Sequence, residues 1–333
     1  MFKILSSNVF LFVLGVIQTF AQSTELIPYL KGNRWGFCGT DKKIVIECKY
    51  EEVGEFRENL AAVKMNKKWG FIDISGKEVI PCQYEMVGDF TDGLAKVQLN
   101  KKWGFIDNAG KVVIPCKYED AGDFCEDISA NCSGLARVQF NKKWGFIDKT
   151  GKEVISFQYE QVGCMCAAGI AAAKLKGKWG FIDNTGKEVI SFQFKNVLSF
   201  GQDYDSKDLA PVLKDKKWGF IDRTGKLVIP FQYDDANWFY DGVAVVKLNK
   251  YFGFINSAGE VVIPFKFENA QFFNEDYAPV MMNGKWGFID REGILVIPCK
   301  YDFAWSFVKG LAKVMLGRKQ FYIDKSGNEY YEP

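Results

Sequence analysis

Lys67-Lys68-Trp69-Gly70-Phe71-Ile72-Asp73-Ile74-Ser75-Gly76-Lys77-Glu78-Val79-Ile80-Pro81 decides the fold, because most of the chain is built from copies of it. The Lys-Trp-Gly-Phe-Ile-Asp core returns at residues 102–107, 143–148, 178–183, 217–222 and 285–290. Weaker copies stand at Arg34-Trp35-Gly36-Phe37, at Tyr251-Phe252-Gly253-Phe254-Ile255-Asn256 and at Gln320-Phe321-Tyr322-Ile323-Asp324. Read this way, Phe252 and Phe321 stand where the other copies carry Trp. Nine copies make the chain an array of one unit, so it scales by repeats and not by domains.

Residues 94–124 show what a unit is. Leu94-Ala95-Lys96-Val97-Gln98-Leu99 alternates apolar and polar, the period of a half-buried strand. Trp103 to Asp107 is a second strand, rich in aromatic and β-branched residues. Asn108-Ala109-Gly110 turns the chain, Lys111 to Ile114 is a third strand, and Pro115 ends regular pairing. The segment to Phe124 is a connector. The expectation is therefore an all-β chain: a tandem array of three-stranded antiparallel meanders, with no helix in the mature chain.

The Gly after each Trp position falls at 36, 70, 104, 145, 180, 219, 253 and 287, so the spacings are 34, 34, 41, 35, 39, 34 and 34. The extra residues lie in one connector position, around 125–133 and around 201–208. Insertions confined there mark it as a surface loop.

The pattern Lys-Trp-Gly-Phe-Ile-Asp-x-x-Gly-Lys-x-Val-Ile-Pro-x-x-Tyr, followed by Phe-x-x-Gly-Leu-Ala, resembles the bacterial WG-repeat family over residues 25–333. The resemblance implies an array of repeats, often exported, without a common activity or catalytic residues to carry over. Two architectures fit nine units of about 34 residues. An open superhelical stack of meanders is favoured. A β-propeller-like ring is the alternative, and needs the connector Tyr84 to Phe90 to supply a short fourth strand.

Composition excludes several function classes. The 333 residues include 43 Lys plus Arg and 41 Asp plus Glu, so no bulk charge draws the chain to nucleic acid or to an anionic membrane. Histidine is absent, which removes the commonest general base and metal ligand. At the N-terminus, Lys3, the apolar run Val9 to Phe20 and Thr19-Phe20-Ala21 read as a signal peptide over residues 1–21. Cleavage after Ala21 would leave residues 22–333 as one repeat domain, secreted or periplasmic, with no membrane span.

Repeated residues are read against packing first. The Trp column could be an aromatic ladder for sugars, but each Trp lies in a strand beside Gly, as packing requires. Cys48, Cys82, Cys116 and Cys299 alternate with Phe157, Phe192, Phe231 and Phe265 at one position, the mark of an apolar site. No metal or other cofactor is expected. Cys125 and Cys132, inside an insertion of an exported chain, are the candidate disulfide. The Asp after Phe-Ile enters a Gly-containing turn and should cap it; Asn256 would do so equally well. Lysines before each Trp and acidic residues after each Tyr form two rows, read as solvated faces.

The connectors vary more. Trp238 and Trp305 enter otherwise polar loops and are the candidate ligand-binding residues. The functional expectation is a non-catalytic exported scaffold that binds protein or glycan. A structural, envelope-associated spacer is the alternative, and a glycan hydrolase rests only on plentiful Asp and Glu.

Overall fold

Strand alternation gives each sheet two unlike faces. In the third sheet Leu94–Leu99 pairs antiparallel with Lys102–Asp107 in the register Gln98↔Trp103, Val97↔Gly104, Lys96↔Phe105 and Ala95↔Ile106. Successive side chains point to opposite faces. Ala95, Val97, Gly104 and Ile106 therefore share a flat face, while Trp103 and Phe105 fill the other. The computed structural model describes residues 26–39, 43–124, 134–165, 169–200, 209–308 and 310–330. The leader with its cut site, Cys125 and Cys132 lie outside the described residues.

Among the described residues the strands form nine antiparallel sheets in chain order. The first has three strands, Ile27–Lys31, Arg34–Cys38 and Ile44–Tyr50. Each of the other eight has four. In the third sheet the added strand is Met86–Val87, which pairs with Gln98 and Val97. The three-stranded unit is thus corrected to a four-stranded one, and the connector supplies the fourth strand. Two paired residues are too short to show a period, so the sequence reads as loop there. Four-stranded antiparallel meanders are the blades of β-propellers, which is what the alternative architecture required.

In seven of the sheets the last strand departs from its partner by a bulge. Phe105 pairs with Ile114 while Trp103 pairs with Tyr118, so four residues on one strand match two on the other. The excess chain crosses directly over Gly104. A Cβ there would lie 2.5 Å from the Ile114 carbonyl oxygen, 2.6 Å from the Cys116 nitrogen and 2.8 Å from the Pro115 carbonyl carbon. The Gly of the repeat is thus required by its own sheet, through backbone contact, and not by packing between repeats as its place beside Trp suggested.

The ninth copy corrects the alignment. Val314 pairs with Phe321 and Met315 with Gln320, as Val97 pairs with Gly104 and Gln98 with Trp103. Phe321 therefore takes the Gly position and Gln320 the Trp position. Phe321 is buried and meets Tyr301 edge-on at 6.2 Å. Phe157, Phe192 and Phe265 meet Tyr118, Tyr159 and Tyr233 at 6.2, 6.2 and 6.3 Å, so Phe321 supplies from a new position the ring those sheets take from the Cys/Phe column.

Contacts divide the chain into two compact units, Met1–Cys82 and Gln83–Pro333. In the first, Phe37, Ile46 and Tyr50 of one sheet pack on Ala61, Val63 and Ile72 of the next. The second repeats this arrangement. Trp103, Phe105, Ile114 and Tyr118 pack on Ala136, Val138 and Ile147; Trp218, Phe220, Ile229 and Tyr233 pack on Ala244, Val246 and Ile255. Large residues on one face meet small residues on the next, which is how a sheet-on-sheet core fills without voids.

A connector Phe completes the joint in six places. Phe105–Phe124, Phe181–Phe200, Phe220–Phe239, Phe254–Phe273 and Phe288–Phe307 have centroids 4.8, 4.9, 5.1, 5.0 and 4.8 Å apart. Phe37–Phe56 does the same in the first unit at 4.8 Å. Such a pair adds about 0.5–1.5 kcal/mol beyond its burial. Where the connector has no Phe, Met165 packs in the corresponding cluster.

Turn chemistry follows the sequence. Asp73 Oδ1 accepts from the Ser75 and Lys77 amides at 2.9 and 3.1 Å. Asn256 Oδ1 accepts from Ala258 and Glu260, both at 3.0 Å. The hairpin Gly that follows has φ near +82° at Gly110 and Gly76, a region other residues avoid.

Candidate ligand-binding site

Trp238 reaches the surface through a bulge. In the seventh sheet the connector strand is long, Asp235–Tyr240, against two residues in most others. Its register breaks between Ala236↔Val246 and Phe239↔Ala244, setting Asn237 and Trp238 against the single residue Val245. Bulges often re-aim a side chain next to a site. The Trp238 indole stacks on Phe272 of the eighth sheet, with centroids 5.3 Å apart and planes at 18°. The ring remains 39% exposed.

That exposed indole lines a cavity of about 710 Å³ within the second unit. Trp179, Gly163 and Ala172 of the fifth sheet form one wall, Leu198, Ser199 and Phe200 of the sixth another, and Trp238, Tyr240 and Asp241 of the seventh a third. Asn274 of the eighth closes the lining. Gly163 leaves room here: a Cβ on it would meet the Ser199 Oγ at 3.5 Å and Ala172 Cβ at 3.7 Å, ordinary contacts.

Asp241 is the one carboxylate among the lining residues, and it is engaged. It pairs with Arg291, whose Nη1 also donates to the Asp241 carbonyl at 3.1 Å. The same guanidinium lies 4.5 Å from the centroid of the Phe273 ring. The site's polar groups are otherwise neutral. Among the described residues the Ser199 hydroxyl, the side-chain amide of Asn274, the Tyr240 hydroxyl and the indole N–H groups of Trp179 and Trp238 make no hydrogen bond with the protein.

Trp305 is elsewhere. It packs edge-on against Phe303 at 4.6 Å in the ninth sheet, and Lys313 lies over its ring at 5.4 Å. It does not line the cavity, so the two candidate tryptophans do not form one site. Sequence reasoning missed Trp179, Tyr240, Asp241 and Asn274. By sequence Trp179 is one packing residue among its equivalents, and nothing in its own hexapeptide marks it as different. Tyr240-Asp241 did carry a signal: aromatic residues fill the whole stretch Trp238-Phe239-Tyr240, where the other connectors carry at most two.

The two charged rows meet each other. Lys217 and Lys285 donate to Asp234 and Asp302 at 2.6 and 2.5 Å, and the same carboxylates accept the Asn249 and Gly317 amides of the next sheet at 2.9 and 2.6 Å. The lysines, first, and these amides hold both carboxyls below the usual range. Each such Asp joins one hairpin to the next. Cys82, Cys116 and Cys299 are half-buried, with their thiols 3.6, 3.7 and 3.8 Å from the carbonyl oxygens of Val63, Val97 and Val280. Burial pushes all three thiols up.

Comparison with known proteins agrees with this geometry. A family model described as "WG containing repeat" matches residues 35–69, 69–103, 103–144, 144–179, 179–218, 218–251, 252–286 and 286–319. The chain belongs to the WG-repeat family. No curated protein matches its sequence. Among solved structures, this WG-repeat chain is similar to a eukaryotic initiation factor, at 11% identity and a TM-score of 0.60, over 92% of this chain and 95% of that one. At that identity the likeness concerns the fold alone. AztD from Citrobacter koseri matches at 10% identity and a TM-score of 0.39, over 92% of this chain and 93% of that one. Hsv2 from Kluyveromyces lactis matches at 10% identity and 0.40, over 70% and 89%. Among the described residues no helix is long and apolar enough to cross a membrane.

Proposed function

We propose that this WG-repeat chain is an exported, non-catalytic scaffold that binds protein or glycan through the cavity at Trp238. The observation that carries the reading is the aromatic-walled cavity of about 710 Å³, within the size range of ligand sites. Pockets of that kind pair apolar walls with a few placed polar groups, which is the composition here. Export follows from the leader-like residues 1–21, which are removed before the scaffold works.

The non-catalytic reading rests on the carboxylates. Glycoside hydrolysis generally uses two carboxyl groups flanking the bond, whereas the cavity offers Asp241 alone, tied to Arg291. The repeat itself supports the scaffold, since its Trp, Gly and Asp columns serve packing, strand crossing and turn capping. A direct test is ligand capture by the full chain and by Trp238→Ala, with Trp305→Ala as a control outside the cavity. Loss with Trp238→Ala and retention with Trp305→Ala is expected. Equal binding by all three proteins would overturn the assignment of the cavity.

A further inference from the structure

We propose that the cavity is a subsite for a neutral carbohydrate, a short oligosaccharide of pyranose rings. This inference rests on the cavity being the ligand site and adds the ligand's chemical class. Three observations carry it. The first is the support of Trp238: one face of its indole lies flat against Phe272 at 18°, and the exposed remainder lines the cavity. A planar apolar surface held from behind is what the C–H face of a sugar ring packs on, and Tyr240 extends it, leaning on the same Phe272 at 6.0 Å.

The second is the free polar lining. The side chains of Ser199, Asn274 and Tyr240 and the two indole N–H groups offer donors and acceptors that the protein leaves unused. An aliphatic ligand would cover these groups without satisfying them, which costs free energy for each one buried. Sugar hydroxyls, both donors and acceptors, meet them. The third is charge. Asp241, the one charged residue of the lining, is paired with Arg291, which also reaches Asp276 outside the lining, so no lining group offers an unpaired charge to an anionic or cationic ligand. The volume admits about two or three sugar rings.

The test uses the purified full chain with cellotetraose, maltotetraose and chitotetraose, plus an anionic oligogalacturonate and a displayed peptide library. Binding is read by calorimetry and by tryptophan fluorescence. At least one neutral oligosaccharide should bind saturably and quench the fluorescence, while the oligogalacturonate does not. Trp238→Ala should weaken binding roughly tenfold or more, and Trp238→Phe should restore part of it. Gly163→Leu places a side chain in the cavity without removing a contact, and it should abolish binding while thermal unfolding stays near that of the unmodified protein. Failure of all three neutral sugars to bind overturns the carbohydrate class. If peptides are then selected whose binding Gly163→Leu abolishes, the cavity reading survives that failure. Sugar binding that survives both Trp238→Ala and Gly163→Leu overturns the placement of the subsite.

Discussion

Gly104→Ala tests the claim that the repeat's glycine is held by its own sheet. The added Cβ would stand 2.5 Å from Ile114 O, 2.6 Å from Cys116 N and 2.8 Å from Pro115 C, all backbone atoms of the crossing strand. No side chain can turn aside, so the strand must move. Overpacking of this kind costs typically about 1–3 kcal/mol, and three backbone contacts place it at the upper end. Alanine also narrows the unfolded ensemble, which returns about 0.4–1 kcal/mol. The net expectation is a loss of about 2–2.6 kcal/mol.

Two comparisons sharpen it. At Gly253 the nearest atoms are Ile263 O at 2.8 Å and the Phe265 ring at 2.9 Å, part of which can rotate, so Gly253→Ala should cost less. At Gly163 contacts begin at 3.5 Å, and Gly163→Ala should be neutral or stabilising by up to about 1 kcal/mol. Urea unfolding followed by both tryptophan fluorescence and circular dichroism measures the series and reveals any sheets that unfold separately. A Gly104→Ala loss under about 0.5 kcal/mol, or a larger loss at Gly163 than at Gly104, would refute the crossing-strand argument.

At Phe321, restoring the repeat's usual glycine should destabilise: the ring is buried, and Phe321→Gly should cost at least the ~3–5 kcal/mol of a large-to-small core change, read by thermal unfolding. The Thr224 hydroxyl, then the Lys226 and Thr224 amides, hold Asp222 below its usual 3.8. A depressed carboxyl contributes stability above the unfolded value and loses it as pH falls through the folded one. Stability should therefore drop from about pH 4 downward, and Asp222→Asn should flatten its share of that drop while folding normally at pH 7, as Asn256 does in its own turn. Cys82, Cys116 and Cys299 should react with iodoacetamide near pH 8 far more slowly in the native protein than in urea, because burial raises their thiols; labelling at equal rates would contradict their burial. Arg291→Ala should cost about 1–2 kcal/mol in unfolding free energy through the lost Asp241 pair and the contact over Phe273.

What the sequence disclosed follows from how many residues carry each signal. The hairpin Leu94–Leu99 with Lys102–Asp107 is six residues paired with six, and its alternation is visible at sight. The strand Met86–Val87 makes two pairs, fewer than one period can show, so the unit read as three-stranded. Phe321 misleads for a different reason: Phe resembles Trp in chemistry, and the resemblance hides the spacing. Yet 287 plus the usual 34 is 321, and spacing alone puts Phe321 at the Gly position. In an array whose strands are locked by backbone contact, register is conserved against any change of side chain, so position is the stronger evidence. The site obeys the opposite logic. Its residues come from four successive sheets, and none of Gly163, Ser199, Trp238 and Asn274 shares a repeat position with all the others in a way that one repeat could display. Trp238 stood out because it broke the pattern of its column; Trp179 was hidden because it kept the pattern of its own. A repeat fold hides a site wherever the site borrows residues that the scaffold already needs.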